Sequence, residues 1–218
     1  MKSVLLIGMG KFGCTLGERL LKMGDEVVVV DKNEDVIDAL APKYENALIT
    51  DCMVFDNLRA LDIPSFDVCL VTIGDNFQAS LEITSNLKDL GAKRVISKAS
   101  TEIQRKFLMR TGADEVIYPD RDIAEKLAVR INSTKVINYI DLDSEYSIFE
   151  IAVPAKWIKK KLVDVNPRGK FGMNILSVKH GKEVISSLDG NFVFSEEDQL
   201  VVFGNTEKIL AFTNKQKK

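Results

Sequence analysis

A strand-length apolar run, Val4-Leu5-Leu6-Ile7, feeds directly into Gly8-Met9-Gly10-Lys11-Phe12-Gly13, and this junction constrains the fold more than any other stretch of the chain. A segment of helical apolar period follows over 11–23, and a second apolar run at 27–30 ends in Asp31. Strand, G-x-G-x-x-G, helix, strand and terminal acid, in that order, is the fingerprint of a βαβ unit that cradles a dinucleotide. Gly8 makes the tight turn, Gly10 lets the backbone approach a phosphate, and Gly13 lets helix pack closely on strand. The helix N-terminus then offers free N–H groups and the positive end of its dipole. At the tip of the second strand Asp31 is placed to accept hydrogen bonds from ribose hydroxyls, and its charge argues against NADP, whose 2′-phosphate it would repel. The alternative is a nucleotide-free fold of the same type, with glycines that serve packing alone.

The same alternation continues. Strands are expected at 3–7, 26–30, 46–50, 66–73, 94–98 and 114–118, with helices near 11–23, 33–41, 54–60, 77–90, 101–110 and 120–133. Strands alternating with helices mean a doubly wound parallel sheet, an α/β Rossmann domain. Gly24, Gly91 and Gly112 each close a helical period, where helix C-cap glycines belong. Beyond about residue 135 the pattern changes to short strands at 136–140, 148–153, 174–179, 183–187 and 199–203, turns at His180-Gly181 and Asp189-Gly190, and a closing helix at 206–212. A short basic helix is expected at 157–163, with Trp157, Ile158 and Leu162 inward and Lys156, Lys159, Lys160 and Lys161 on its solvated face, the alternative being a membrane or nucleic-acid patch. The expected domains are therefore 1–134, a Rossmann nucleotide-binding domain, and 135–218, a small α+β domain, joined through the helix near 120–133.

At 218 residues the chain has the length for two modest domains. A formal net charge of −2 gives no general pull toward nucleic acid or anionic lipid. Apolar runs stay at strand length, well short of the ~20 residues that span a bilayer, and the N-terminus lacks a signal-peptide pattern. Cys14, Cys52 and Cys69 form no C-x-x-C, which suits a reduced, cytoplasmic chain. Cys14, just past the glycine loop, reads as a small packing residue rather than an activated thiol. The basic tail Lys215-Gln216-Lys217-Lys218 reads as solvated.

Chemistry is what the second domain lacks. Hydride transfer needs an acid or base over the cofactor, and the only His, His180, sits at an expected hairpin turn. Neither a Ser-His-Asp set, nor a Cys-His pair, nor a His/Cys cluster of metal spacing is present. The sequence describes a nucleotide reader rather than an enzyme. A small NAD-dependent oxidoreductase and a redox- or nucleotide-sensing regulator of DNA are the competing readings; the latter needs a basic recognition helix that the chain does not supply.

In order and spacing, several further motifs accompany the glycine loop: Val30-Asp31-Lys32, Thr50-Asp51-Cys52, Thr72-Ile73-Gly74-Asp75-Asn76, Lys98-Ala99, Gly112-Ala113-Asp114-Glu115-Val116, Gly172-Met173-Asn174-Ile175-Leu176 and Glu197-Asp198-Gln199-Leu200. With them the chain resembles the RCK/KTN (TrkA-N plus TrkA-C) regulatory subunits of Trk/Ktr-type potassium transport systems, along essentially its whole length. The resemblance implies a non-enzymatic cytoplasmic subunit, peripheral at the inner face of the cell membrane. Such a subunit forms homodimers and then a ring, typically an octamer, beneath a separate membrane potassium channel or transporter, without nucleic-acid binding or membrane insertion of its own. ATP and ADP, or NAD(H), would bind the Rossmann cleft and favour different ring shapes.

The resemblance also implies site residues. Gly8, Met9, Gly10, Lys11, Phe12 and Gly13 become the phosphate loop, Asp31 the ribose ligand with Lys32 beside it, Asp51 and Cys52 the adenine flank, and Ile73, Gly74 and Lys98 the cleft wall. Where ATP-responsive members carry Arg, this chain has Lys11, which keeps the charge but loses the bidentate fork toward a terminal phosphate. Discrimination of ATP from ADP is then weaker, or NAD(H) competes. Asp120, after the Tyr118-Pro119 corner, is either a Mg²⁺ or Na⁺ ligand at a nucleotide-bridged dimer interface or an ordinary helix N-cap. Arg168, Asn174 and Ile175 stand where some relatives bind cyclic di-AMP, although an Arg in a Pro167-Arg168-Gly169 turn is also ordinary surface.

Overall fold

Each apolar run of the first half of the chain becomes a parallel strand. The computed structural model describes residues 1–133 and 135–215; Thr134, at the end of the expected first domain, and the tail from Gln216 onward lie outside the described residues. Strands β1 (Ser3–Ile7), β2 (Glu26–Asp31), β3 (Asn46–Ile49), β4 (Val68–Val71), β5 (Val95–Lys98) and β6 (Glu115–Ile117) alternate with α1 (Lys11–Lys22), α2 (Glu34–Leu40), α3 (Phe55–Arg59), α4 (Phe77–Asp89), α5 (Glu102–Thr111) and α6 (Pro119–Asn132). The sheet order is β3-β2-β1-β4-β5-β6, parallel throughout. That is the doubly wound arrangement, in which chain direction across the sheet reverses between β1 and β4 and opens a crevice there.

The central strand shows why the apolar runs are unbroken. Leu5 and Ile7 of β1 pack into one buried cluster with Val71, Ile83 and Leu87, while Val4 and Leu6 pack into another with Val29, Ile37 and Leu70. A parallel strand covered on both faces must be apolar at every position. Burying each such side chain stabilises the fold by roughly 1.5–3 kcal/mol. Helix ends follow local chemistry as well: Asn33, Asn76 and Thr101 accept a hydrogen bond from the first turns of α2, α4 and α5, and Gly112 ends α5 in the left-handed region. A 3-10 turn at Ile63–Ser65, entered through left-handed Asp62, leads into β4 and was not expected.

The chain divides into two units, 1–121 and 122–218, with the division inside α6. In the second unit, β7 (Val136–Asp141), β8 (Tyr146–Ala152), β9 (Met173–His180), β10 (Glu183–Ile185) and β11 (Asp198–Asn205) form an antiparallel sheet of order β10-β9-β11-β8-β7. Strict alternation along β11 sends Leu200 and Val202 into a core with Phe149, Ile151 and Val178. The final helix, α9 (Thr206–Lys215), adds Ile209 to that core.

The basic helix expected at 157–163 does not form. Instead a 3-10 turn, Ala155–Trp157, is followed by left-handed Lys159 (φ +64°) and then a one-turn helix, α7 (Leu162–Val165). On a helix Lys156 would face Lys159 and Lys160, three and four residues on, where like charges repel. The segment finds better backbone partners across from it: Lys159 N–H donates to Phe194 O, Leu162 N–H to Phe192 O and Val163 N–H to Gly190 O, at 2.8, 2.8 and 3.0 Å. Trp157 still points inward, among Phe171, Phe194 and Phe212 at centroid distances of 5.6, 5.7 and 5.5 Å. A second departure follows. Pro167-Arg168-Gly169 is not a bare turn but opens a short helix, α8 (Pro167–Phe171), entered through left-handed Asn166, whose side chain caps Gly169 N–H.

Candidate functional site

The crevice at the β1/β4 switch point is a cleft of ≈ 300 Å³. Ile7, Gly8 and Gly10 form its floor, Asp31 and Lys32 one wall, and Ile73, Gly74 and Asp75 the other. Thr50, Asp51, Cys52 and Met53 close the far end. It lies outside the carboxyl ends of the strands, where open α/β sheets bind their ligands.

Steric accounts confirm the glycine loop's geometry. Gly8 has φ +93°, and a Cβ there would stand 2.9 Å from the Ile73 side chain. At Gly13 a Cβ would meet Gly8 O at 2.3 Å and Thr72 Oγ1 at 2.9 Å, so the loop and α1 touch main chain to main chain. Gly10 differs: nothing lies within 4 Å of its Cβ position, which leaves open space above the backbone. As N-cap of α1 it has no side chain to satisfy the helix amides, and no acid occupies the first turn. Those amides and the positive dipole face the cleft unneutralised.

Asp31 is already engaged. One carboxylate oxygen accepts from Met9 N–H at 2.7 Å and the other from Asn33 N–H at 2.9 Å. This fixes the carboxylate in the cleft wall, and each oxygen retains a second lone pair for a ribose hydroxyl. Met9 therefore serves through its amide, while its side chain is buried in the core. On the opposite side Thr72, which sequence reasoning left without a role, donates its hydroxyl to Gly8 O and ties β4 to the glycine loop. Its place just past the end of β4, at the switch point, was the signal available in the sequence.

Cys52 is buried and packs in the hydrophobic core; desolvation, with Asp51 and Asp31 nearby, pushes its thiol up to about 12. It is an apolar wall, not a nucleophile. Cys14 donates to Met9 O at 3.2 Å, and burial and then Glu18 raise its pKa, as befits a packing residue. Lys98 at the end of β5 sets its Nζ 5.8 Å from the Phe12 ring centroid, close against Gly74. Lys11, at the first position of α1, is exposed. Lys11, Phe12, Gly13 and Lys98 thus stand around the loop rather than among the residues lining the cleft, while Asn76, Ala79 and Ile83 line it without having been anticipated.

The other candidates are carried by α6 and by the second unit. Asp120 is the second residue of α6, after Pro119, and is exposed rather than a cap. Among the described residues no group of three His, Cys, Asp or Glu side chains could hold a metal ion. Arg168 is exposed on α8, and Asn174 and Ile175 follow on β9, both half-buried. His180 at the end of β9 is held by Asp198, Nδ1 to Oδ1 at 2.9 Å, which raises its pKa. No described helix is long and apolar enough to cross a membrane.

A six-stranded Rossmann sheet with a cleft over its glycine loop, followed by a small antiparallel unit, defines the class: a two-part protein of the nucleotide-binding Rossmann type. Residues 4–119 match the TrkA-N domain and residues 146–217 the TrkA-C domain. Ktr system potassium uptake protein A of Bacillus subtilis (strain 168) is 38% identical over 179 residues, 82% of this chain and 81% of that protein. Ktr system potassium uptake protein C of the same organism is 36% identical over 181 residues, 83% and 82% of the two chains. Among solved structures, the GsuK RCK domain superposes with a TM-score of 0.71 at 17% identity, covering 100% of this chain and 48% of that one. The GsuK channel bound to NAD gives 0.70 at 16% identity, with 97% and 39% covered. The chain spans less than half of each of these two chains, and at such identity the likeness shows a common fold. The chain belongs to the TrkA family of potassium uptake proteins, of the Ktr type.

Proposed function

We propose that this protein is a non-enzymatic, nucleotide-sensing regulatory subunit that gates a separate membrane potassium channel or transporter from the cytoplasmic side. One observation carries the reading: a cleft at the switch point in which a carboxylate held by two backbone amides, Asp31, faces an uncapped helix N-terminus across an open Gly10. That pairing suits a ribose at one end and phosphates at the other. ATP and ADP are the proposed ligands, with Lys11 and Lys98 supplying positive charge beside the loop, and NAD(H) as competitor. A ligand shifts a conformational equilibrium only through unequal affinity for the two states. A terminal phosphate met by a second subunit, with Mg²⁺ or Na⁺ at Asp120, is the difference we propose between ATP and ADP.

The proposed assembly is a homodimer that builds into a ring of eight. Ile123, Leu127 and Ile131 support self-association: they recur every four residues along α6 and are 67%, 48% and 75% exposed. In the second unit, Arg168, Asn174 and Ile175 form the proposed cyclic di-AMP contact, which Arg168→Ala would abolish while ATP binding persists. The test is calorimetric titration of wild type and Asp31→Ala with ATP, ADP, NADH and cyclic di-AMP, with light scattering of each mixture. Adenine-nucleotide binding by a large oligomer, lost in Asp31→Ala, is the expected result. Tight NADH binding by a small oligomer indifferent to ATP would return the oxidoreductase or redox-sensor reading.

A further inference from the structure

The segment expected to be a helix with a solvated basic face is instead an irregular ribbon held by main-chain hydrogen bonds, and that changes what its lysines can do. From Lys156 to Lys170 the chain carries six basic residues against one acid, Asp164. Lys156, Lys159, Lys160 and Lys161 are all exposed, and none forms an ion pair among the described residues. Lys161 reaches only Asn191 Oδ1, at 3.3 Å. Glu196 and Glu197 follow the facing strand, but Glu197 stands beside His180 at 3.9 Å. On a helix these lysines would splay around the axis. Here the run is clamped to 190–194 by main-chain hydrogen bonds, Phe194 N–H also donating to Lys160 O at 3.1 Å, with buried Trp157 as its anchor beneath.

Two further observations set this surface apart from ordinary solvated charge. Lys159 occupies the left-handed region, φ +64°, where glycine is the unstrained residue. The chain keeps a long cation at a position where its backbone favours none. Val163, in α7, and Val193, in the facing segment, are 62% and 51% exposed, and Val193 pairs directly with Lys161 in an isolated antiparallel bridge. Directly paired residues project to one face, so Lys161 and Val193 share it.

We propose that this ribbon is a docking surface for an anionic phospholipid bilayer. Unpaired lysines, as strongly hydrated point charges, suit a field of phosphate headgroups rather than one bidentate partner. Adjoining valines suit the headgroup boundary, and such a basic-plus-apolar pair of weak signals is what reversible adsorption to lipid takes. An acidic polypeptide would draw on the charge but leave the valines in water. Adsorption needs no inserted segment, and the inference stands independently of which nucleotide the first unit reads.

The test is co-sedimentation of the full-length protein with vesicles of pure phosphatidylcholine and of phosphatidylcholine with about one third phosphatidylglycerol, at low and at high salt. Wild type is expected to bind the anionic vesicles alone and to be released by salt. With about 1 kcal/mol per lysine at the surface, Lys159→Gly should weaken partitioning about fivefold, and replacing Lys156, Lys159, Lys160 and Lys161 together by Gln at least about 100-fold. Lys159→Gly should also melt no lower than wild type, which separates lost binding from lost folding. Binding that ignores these substitutions, or absent binding to anionic vesicles, overturns the proposal. So does capture by poly-glutamate, with the same lysine dependence, in place of vesicle binding.

Discussion

Replacing Gly13 and Gly10 by alanine, one at a time, separates the packing role of the glycine loop from its ligand role. At Gly13 the new Cβ would stand 2.3 Å from Gly8 O and 2.9 Å from Thr72 Oγ1. The first contact is about 1 Å inside an ordinary carbon–oxygen approach. It is made with main chain, so no side-chain rotation relieves it. Overpacking of this kind costs ~1–3 kcal/mol, toward the upper end when backbone must move. Alanine recovers up to ~1 kcal/mol of helix propensity. A net loss of about 2 kcal/mol remains, a fall in Tm on the order of 5–10 °C for a domain of this size. Gly10 has φ −69°, ψ −174° and open space around its Cβ position, so alanine is expected there within about 0.5 kcal/mol of wild type. Gly10→Ala should instead lose about tenfold or more in adenine-nucleotide affinity, because its methyl occupies the approach of a phosphate. Circular-dichroism melts and calorimetry read the two effects separately. A Gly13→Ala protein that melts like wild type, or a Gly10→Ala protein destabilised as much as Gly13→Ala, would refute the reasoning.

Three further outcomes are expected. Trp157→Ala, which removes a side chain packed against three phenylalanines, should cost about 3–5 kcal/mol in the second unit, read as an early transition in urea with loss of near-ultraviolet dichroism; an unchanged midpoint would deny that this cluster anchors the ribbon. Of the three thiols, Cys52 and Cys69 are buried and pushed up to about 12, so native protein should react with a thiol reagent through at most Cys14, and slowly, while denatured protein gives all three. His180 has its pKa raised by Asp198, so its stabilising contribution is complete below its unfolded value near 6.5 and declines as pH rises through the higher folded value. The urea midpoint of wild type relative to His180→Gln should therefore narrow from about pH 6 upward; a difference constant with pH would contradict the pairing.

The parallel sheet was legible because its strands are buried on both faces. Val4 to Ile7 and Val27 to Val30 carry no polar residue to confuse strand with loop, and Gly24, Gly91 and Gly112 mark where helices stop. The cleft was legible where chemistry is tied to residue type, as at Gly8, Gly10 and Asp31. At Thr72 only its place past the end of β4 was legible; its bond to the glycine loop depends on β4 lying beside β1, with Gly8 64 residues away in the sequence. The ribbon at 157–163 was misread for the same reason. Its apolar residues at 157, 158 and 162 have a helical interval, but the partners that decide its conformation, Phe192 and Phe194, are some thirty residues away. Local periodicity gives way wherever distant backbone offers a better set of hydrogen bonds.

Asp31 joins Met9 N–H to Asn33 N–H, so the carboxylate at the proposed ribose end of the cleft is held by the chain's own backbone. A guest that fills only that end finds its seat made, and pays little in ordering the protein. Under the proposed function, filling that end alone gives no contact that two states would hold unequally. Occupancy and message are thereby divided along the length of the cleft: a bare nucleoside should compete for the seat yet leave the protein silent, and whatever is signalled must be written by the atoms that reach past Gly10.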